Sequence, residues 1–471
     1  MKTNTLNSDT ICAIATPHGM GAIAVVRVSG IASLPIVSQL FKQNGKPFDM
    51  EKMVANKAYY GHISVNGEFL DEVLVTFFKA PHSFTGEDSA EISVHGSIFV
   101  QQKLLQVLIA HGCRMAEAGE FTRRAFINRK FDLVQAEAIA DLISSESEAA
   151  HRVAINQLKG GFSKELQMMR SKLLEMTSLM ELELDFSEED VEFADRSQLK
   201  ALLQETLTHV NKLKDSFRLG NAIKNGIPVA IVGQTNTGKS TLLNALLGED
   251  RAIVSDIAGT TRDTIEETLN INGILYRFID TAGLRVTDEA IEKIGIERSY
   301  KKISEANVVI GMLDATTSYE SMISSAQEIV AKVDLQHQQL ILCINKVDTL
   351  SDQGEALLGE LRLDLDNDDL MVICLSAKHG FGLNDLYNTL KLSQPLTSPD
   401  TTLVTNVRHY EALLHASESL LLVKQGLEMS IPTDLVSQDL RQALYYLGSI
   451  TGEITTDEVL GTIFSRFCIG K

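Results

Sequence analysis

Residues 229 to 243 read VAIVGQTNTGKSTLL, and no other stretch limits the fold as tightly. An apolar run ends in Gly233 and an apolar, helix-like segment begins after Ser240, which predicts a strand, a glycine-rich loop and a helix. The loop fits G-x-x-x-x-G-K-[ST]. Gly233 and Gly238 let backbone amides curl around phosphate oxygens, Lys239 neutralises them, and Ser240 offers a hydroxyl to Mg²⁺. The following helix adds its positive N-terminal end. A glycine-rich turn with no ligand also fits such a loop, so the motifs downstream of it have to decide.

Four more signals come in the order a GTPase needs. Asp280-Thr281-Ala282-Gly283 comes after LYRFI, where the Asp can reach Mg²⁺ through water and the Gly amide can sense a γ-phosphate. Asn345-Lys346-Val347-Asp348 comes after LILCI, and the Asp348 carboxylate can accept both N–H groups of a guanine edge, which adenine does not supply. Ser376-Ala377-Lys378 comes after MVICL and supports the base from the other side. Between the phosphate loop and Asp280 lies IAGTTRD, where Thr260 or Thr261 can close on Mg²⁺. Each short motif alone is weak; together and in register they predict GTP. Gly283 is followed by Leu284, where small signalling GTPases carry the Gln that orients water. Glu292, in DEAIEKIGIERS, is near enough in sequence to replace it, although a helical Glu is more often simply solvated.

The 471 residues suffice for about three domains. Residues 1–118 alternate short β-rich runs (ICAIAT, AIAVVRVSG, AYYGHISV, EVLVTFFKA, SAEISVHG) with turns and two helical stretches, an α+β pattern. His18, His62 and His95 are isolated there and read as surface or hydrogen-bonded histidines. Residues 119–220 turn helical, with Leu133, Ala136, Ile139, Ala140 and Ile143 on one face and Leu166, Met169, Leu173, Met176 and Met180 on another. The acidic DFSEEDVEF run reads as a solvated connection. Residues 221–392 alternate strand and helix, as a parallel sheet requires, and LSQPLTSPD forms an exit linker. Residues 393–471 are helical again, with Thr455 and Glu458 as a capping box for the last helix. The expected architecture is an α/β P-loop GTPase domain inserted in an all-α helical domain, preceded by an α+β domain.

The net charge of −19 disfavours non-specific attraction to nucleic acid, so any RNA contact needs a local patch. Arg123, Arg124, Arg129 and Lys130 offer one, or else form a solvated helix face. Five widely spaced cysteines support neither a disulfide framework nor a zinc site. Cys343 and Cys374 fall in apolar strands and read as core. A start without an apolar leader, and the lack of any run of 18 apolar residues, predict a cytoplasmic protein that spans no membrane.

The stretches ATPHGMGAIAVVRVSG, SFTGEDSAEISVHG, AGEFTRRAFINRKFDLVQAEAIADLI, DFSEED, GQTNTGKS, GTTRD, DTAGLR with IEKIGIERS, NKVD and the terminal FCIGK cover the chain. Together they resemble the MnmE (TrmE) family of tRNA-modification GTPases. The resemblance implies a homodimer joined through N-terminal domains that bind a tetrahydrofolate derivative, 5-formyl- or methylene-tetrahydrofolate. It implies work with the FAD-containing MnmG-type partner, installing an aminomethyl or carboxymethylaminomethyl group at C5 of the wobble uridine of certain tRNAs. The family's nucleotide positions fall on Asn236, Thr237, Gly238, Lys239, Ser240 and Thr241, on Ser255, Asp256, Ile257, Ala258, Gly259, Thr260 and Thr261, and on Asp280, Thr281, Ala282 and Gly283. Asn345, Lys346, Asp348, Ser376, Ala377 and Lys378 complete that set. Mg²⁺ falls to Ser240 and Thr261, and K⁺ to Asn236, Ser255, Ile257 and Thr260, with the K⁺ taking the place of an arginine finger as two GTPase domains meet. Glu292 matches the family's water-positioning Glu. The folate contacts fall on Arg27, Glu91, Lys130 and Lys471, and Cys468 matches a cysteine invoked in the modification chemistry. His18, Met20, Ser97 and Arg129 depart from the family pattern near the folate region. A regulatory GTPase of ribosome assembly, without folate chemistry, is the competing reading; the GTPase motifs suit both, and the N-terminal and FCIGK stretches favour the first.

Overall fold

A computed structural model describes residues 9–65, 67–185, 196–250, 267–279, 303–351, 354–365, 370–392, 402–429, 431–465, 467 and 469–470. The chain gathers into two compact units. One takes residues 1–143, 157–211 and 411–471, and the other takes 144–156 and 212–410.

In the first unit, the β-rich runs become β1 (Thr10–Ile14), β2 (Ile23–Ser29), β3 (Phe41–Gln43), β4 (Lys46–Pro47), β5 (Ala58–Val65), β6 (Glu68–Phe78), β7 (Ser89–His95) and β8 (Cys113–Met115). They pair in the order β4-β3-β5-β6-β7-β2-β1-β8, antiparallel apart from β1 and β8. Side chains alternate across a strand, so Ala24, Val26 and Val28 of β2 and Val73, Val75 and Phe77 of β6 share the covered face. The helices Ser33–Leu40 and Ile98–Ala110 cover it with Leu34, Val37, Leu104 and Leu108. Burying each such aliphatic side chain stabilises by about 1.5–3 kcal/mol. Arg27 and Glu91, one residue out of phase, face the other way.

The helix Gly161–Asp185 buries Leu166, Met169, Leu173, Met176 and Met180, the stripe that its spacing predicts, and packs on the helix Thr433–Thr451. Gly160, at φ +79°, breaks it from the helix Glu148–Leu158. The stripe expected on Leu133–Ile143 holds only in part: Leu133 and Ala136 lie under Leu460, Phe464 and Phe467, whereas Ile143 is exposed. With a rise of 1.5 Å per residue, Ile143 sits roughly 10 Å beyond Ala136 and outruns that cover. The capping box also shifts by one residue. Thr456, in extended backbone, accepts from the Val459 amide at 3.4 Å and caps the helix Asp457–Phe464, so Thr455 is not the cap. Beyond that helix, Ile469 bridges to Ala118, and Gly470 (φ +98°) lies so close to the Ile14 carbonyl that any Cβ would collide with it.

The second unit holds β9 (Ile227–Gly233), β10 (Glu267–Ile271), β11 (Ile274–Phe278), β12 (Val308–Asp314), β13 (Gln339–Asn345) and β14 (Met371–Cys374). Their order is β10-β11-β9-β12-β13-β14, parallel except for the β10–β11 hairpin. β9, β12 and β13 are near-continuous apolar runs because both sheet faces are covered. Leu242, Leu246, Leu386 and Leu390 pack on one side, and Met322, Ala326, Ile329 and Leu361 on the other. Cys343 is core, as its strand position predicts. Among the described residues no helix is long and apolar enough to cross a membrane.

Candidate functional site

In a parallel sheet of this kind, ligands sit outside the carboxyl ends of the strands. β9 ends there in Gly233, and the loop Gln234–Gly238 leads directly into the helix Lys239–Asp250. Gly233 (φ +149°) approaches the Met312 carbonyl of β12 too closely for a side chain. Asn236 takes the left-handed conformation (φ +60°), which Asn tolerates better than most residues. The Thr237 hydroxyl donates to the Gln234 carbonyl at 2.8 Å, closing the loop on itself. Lys239 Nζ donates to the carbonyls of Gly233 (3.0 Å) and Gln234 (2.7 Å), so the ammonium is held inside the curl of the loop. Burial pushes its pKa down, an electrostatic cost that a bound polyphosphate offsets. Ser240 and Thr241 follow in the helix's first turn.

Asn345, at the end of β13, ties the site together. Its side-chain amide donates to the Thr237 carbonyl at 2.8 Å and accepts from the Ala377 amide at 3.0 Å, joining the phosphate loop to the Ser376-Ala377-Lys378 turn. The Ser376 hydroxyl donates to Asp348 Oδ1 at 2.6 Å, and the Asp348 carboxyl lies below its ordinary pKa, chiefly through that bond. Asp348 is therefore an oriented carboxylate with acceptor capacity to spare, as a guanine reader must be. Replacing it by Asn turns one acceptor into a donor. Asp348→Asn is expected to weaken GTP binding roughly a hundredfold, from loss of charge-assisted hydrogen bonds, and to improve binding of a nucleotide whose base offers a carbonyl there, such as xanthosine triphosphate. Titration calorimetry with both nucleotides measures it.

Two partners of motif residues, Asp314 and Ser325, escape motif reading. Lys346, at φ +68°, extends to Asp314 at the end of β12 (2.6 Å), and Gln234 donates to Ser325 at 2.6 Å. The only signal for Asp314 is an acidic residue closing an apolar strand at the ligand-binding edge. Ser255, Asp256, Ile257, Ala258, Gly259, Thr260 and Thr261, together with Asp280, Thr281, Ala282, Gly283 and Glu292, lie outside the described residues.

In the other unit, Arg27 and Glu91 stand opposite each other on β2 and β7 and form an ion pair at 2.9 Å. The Arg27 guanidinium stacks over Phe84 (4.8 Å) and Phe121 (5.6 Å). Lys130 Nζ donates to the Pro81 carbonyl at 3.0 Å, and its stem lies against Gly86, so Arg27 and Lys130 both border the loop Pro81–Asp88. With Glu91 balancing Arg27, this pair offers a neutral donor and acceptor edge, which suits a pterin, while exposed Lys130 suits a carboxylate. The donor set fits a folate-like molecule. Lys471 and Cys468 lie outside the described residues.

The basic cluster read as an RNA patch or a solvated face is neither at Arg124, which is 2% exposed. Arg124 reaches Asp9 (2.8 Å), Glu120 (3.0 Å) and Glu87 (3.2 Å), while Arg114 grips Asp9 and Glu120, each at 2.7 Å. Arg123 pairs with Glu117 at 3.0 Å. The carboxylate partners are spread over residues 9 to 120, so no local charge count reveals them.

Two family descriptions match this chain: "GTP-binding protein TrmE N-terminus" over residues 10–130 and "MnmE helical domain" over residues 133–468. Proteins called tRNA modification GTPase MnmE are similar over their full length. That of Flavobacterium johnsoniae is 50% identical over 99% of this chain and 100% of its own. Those of Bacteroides fragilis (49%, over 99% and 100%) and Parabacteroides distasonis (51%, over 98% and 100%) are comparable.

Proposed function

The chain belongs to the MnmE family, and from that premise we propose that it is a GTPase whose hydrolytic cycle serves modification of the tRNA wobble uridine. The observation that carries the reading is the Thr237–Asn345–Ala377 linkage, which makes phosphate loop and base-reading turn one preorganised site. In the finer reading, the cycle is stimulated by K⁺ and coupled to transfer of a folate one-carbon unit to uridine C5 with an MnmG-type flavoprotein in the cytoplasm.

Lys239 neutralises the β- and γ-phosphates, the loop amides orient them, and Asp348 with Ser376 selects guanine. Glu292 positions the attacking water in place of the Gln that small signalling GTPases carry where Leu284 stands. Ser240 and Thr261 would hold Mg²⁺, and Asn236, Ser255, Ile257 and Thr260 would hold K⁺; bound there, the cations supply fixed positive charge to the transition state. Replacing K⁺ by Na⁺ at constant ionic strength is expected to lower turnover about tenfold or more, read as phosphate release. Arg27 and Glu91 would hold the pterin and Lys130 a glutamate carboxylate. A homodimer joined through the N-terminal domains is supported by exposed Tyr60 and Leu74, paired across β5 and β6, with Phe69 nearby in sequence.

The test is the wobble-uridine content of bulk tRNA from cells lacking the protein, rescued with wild type or with Glu292→Ala. Loss of the C5 group, restored only by wild type, is the expected result. Unchanged tRNA in the deletion strain sinks the reading.

A further inference from the structure

The helix Glu148–Leu158 starts in the unit that holds the nucleotide site and runs on into residues of the other. Its first amides, like those of any helix, have no partner within the helix. Ser147 satisfies one, its hydroxyl accepting from the Ala150 amide at 3.1 Å. Another is satisfied from outside: the Ala149 amide donates to the Gly273 carbonyl at 3.0 Å, at the tip of the β10–β11 hairpin. At the same tip Asn270 accepts from the Gly273 amide (3.0 Å), fixing the turn, and donates to the Glu146 carbonyl at 3.4 Å. Asn272 (φ +52°) and Gly273 (φ +81°) give this turn the left-handed pair that keeps a two-residue hairpin tight.

The hairpin's other end matters as much. Its five cross-strand pairs run from Ile271↔Ile274 to Glu267↔Phe278, and Tyr276 and Phe278 pair with β9, the strand that feeds the phosphate loop. In sequence, β10 begins four residues after the end of the IAGTTRD stretch and β11 ends two residues before Asp280 of Asp280-Thr281-Ala282-Gly283. One paired ribbon therefore joins both motifs expected to sense the γ-phosphate to the N-terminal cap of a helix that leads out of the nucleotide-binding unit.

We propose that the contact of Gly273 and Asn270 with residues 146–149 carries nucleotide state from the GTPase sheet to the helical part of the chain. It does so by making or breaking one cap of the helix Glu148–Leu158. The inference rests on the GTPase reading and needs neither the folate nor the tRNA part of it.

Hydrogen exchange by mass spectrometry on the full chain, with GDP or a non-hydrolysable GTP analogue bound, tests it. In wild type, amides 149–151 are expected to exchange at rates that differ at least threefold between the two nucleotides. In Ala149→Pro, which deletes the donor at a first-turn position where proline is tolerated, the difference at Ala150 and His151 is expected to vanish while GTP affinity stays within twofold. Equal exchange in both nucleotide states of wild type overturns the proposal without requiring any variant to fold. So does a difference that persists in Ala149→Pro. Failure of wild type to bind the analogue would instead overturn the GTPase reading on which the proposal stands.

Discussion

Lys239→Ala is expected to lower GTP hydrolysis by at least about a thousandfold while leaving the fold of the second unit intact. The ammonium is held by the carbonyls of Gly233 and Gln234, inside the curve where phosphate oxygens must sit, so no neighbour replaces its charge when it is removed. The loop itself keeps its shape through the Thr237–Gln234 and Asn345–Thr237 hydrogen bonds, neither of which involves Lys239. Single-turnover hydrolysis at saturating enzyme separates loss of chemistry from loss of affinity. Circular dichroism checks the fold. Hydrolysis within tenfold of wild type would mean that this lysine is structural and that phosphate charge is balanced elsewhere.

Arg124→Met is expected to cost the first unit about 3–5 kcal/mol, because removing one partner leaves Glu87, Asp9 and fully buried Glu120 short of compensation. Calorimetry of the full chain resolves this, since added GTP raises the transition of the unit that binds it and so marks the other as the one to follow. The same cluster makes that unit acid-sensitive. Burial alone would raise the Glu120 pKa, but Arg114, the Glu117 amide and Arg124 outweigh it and hold the carboxyl below its ordinary value. Its stabilisation is therefore complete above the unfolded carboxylate pKa and is lost as pH falls through the lower, folded value. A melting temperature for that transition that is independent of pH below neutrality would contradict this assignment.

The second unit is the more legible in sequence for a physical reason. Strand, phosphate loop, helix and base-reading turns are each local, and each demands residue types that little else demands: glycine at a close approach, a carboxylate just past a buried strand. The linkage that unites them is not local. The Asn345 bond to Thr237 joins residues more than a hundred positions apart, and the motif conveys the presence of Asn345 but not its geometry. In the first unit, hydrophobic alternation marks the long strands, while β3, β4 and β8 are too short to carry a period. Arg124 reads as surface because a run of cations looks the same whether water or distant carboxylates surround it. The cap of the last helix reads one residue early because two adjacent threonines compete for it, and backbone conformation decides for Thr456.

The first unit is assembled from three segments far apart in the polypeptide, residues 1–143, 157–211 and 411–471, and this orders events during synthesis. Phe126, Leu133 and Ala136 are covered by Leu460, Phe464 and Phe467, which leave the ribosome more than three hundred residues later. At 5–20 residues per second they wait roughly 15–65 s for that cover. The second unit, residues 144–156 and 212–410, is complete before the covering residues emerge, and can close around nucleotide first. The nascent chain thus carries its GTPase unit while these apolar side chains are still uncovered, and residues 460–467 close over them afterwards.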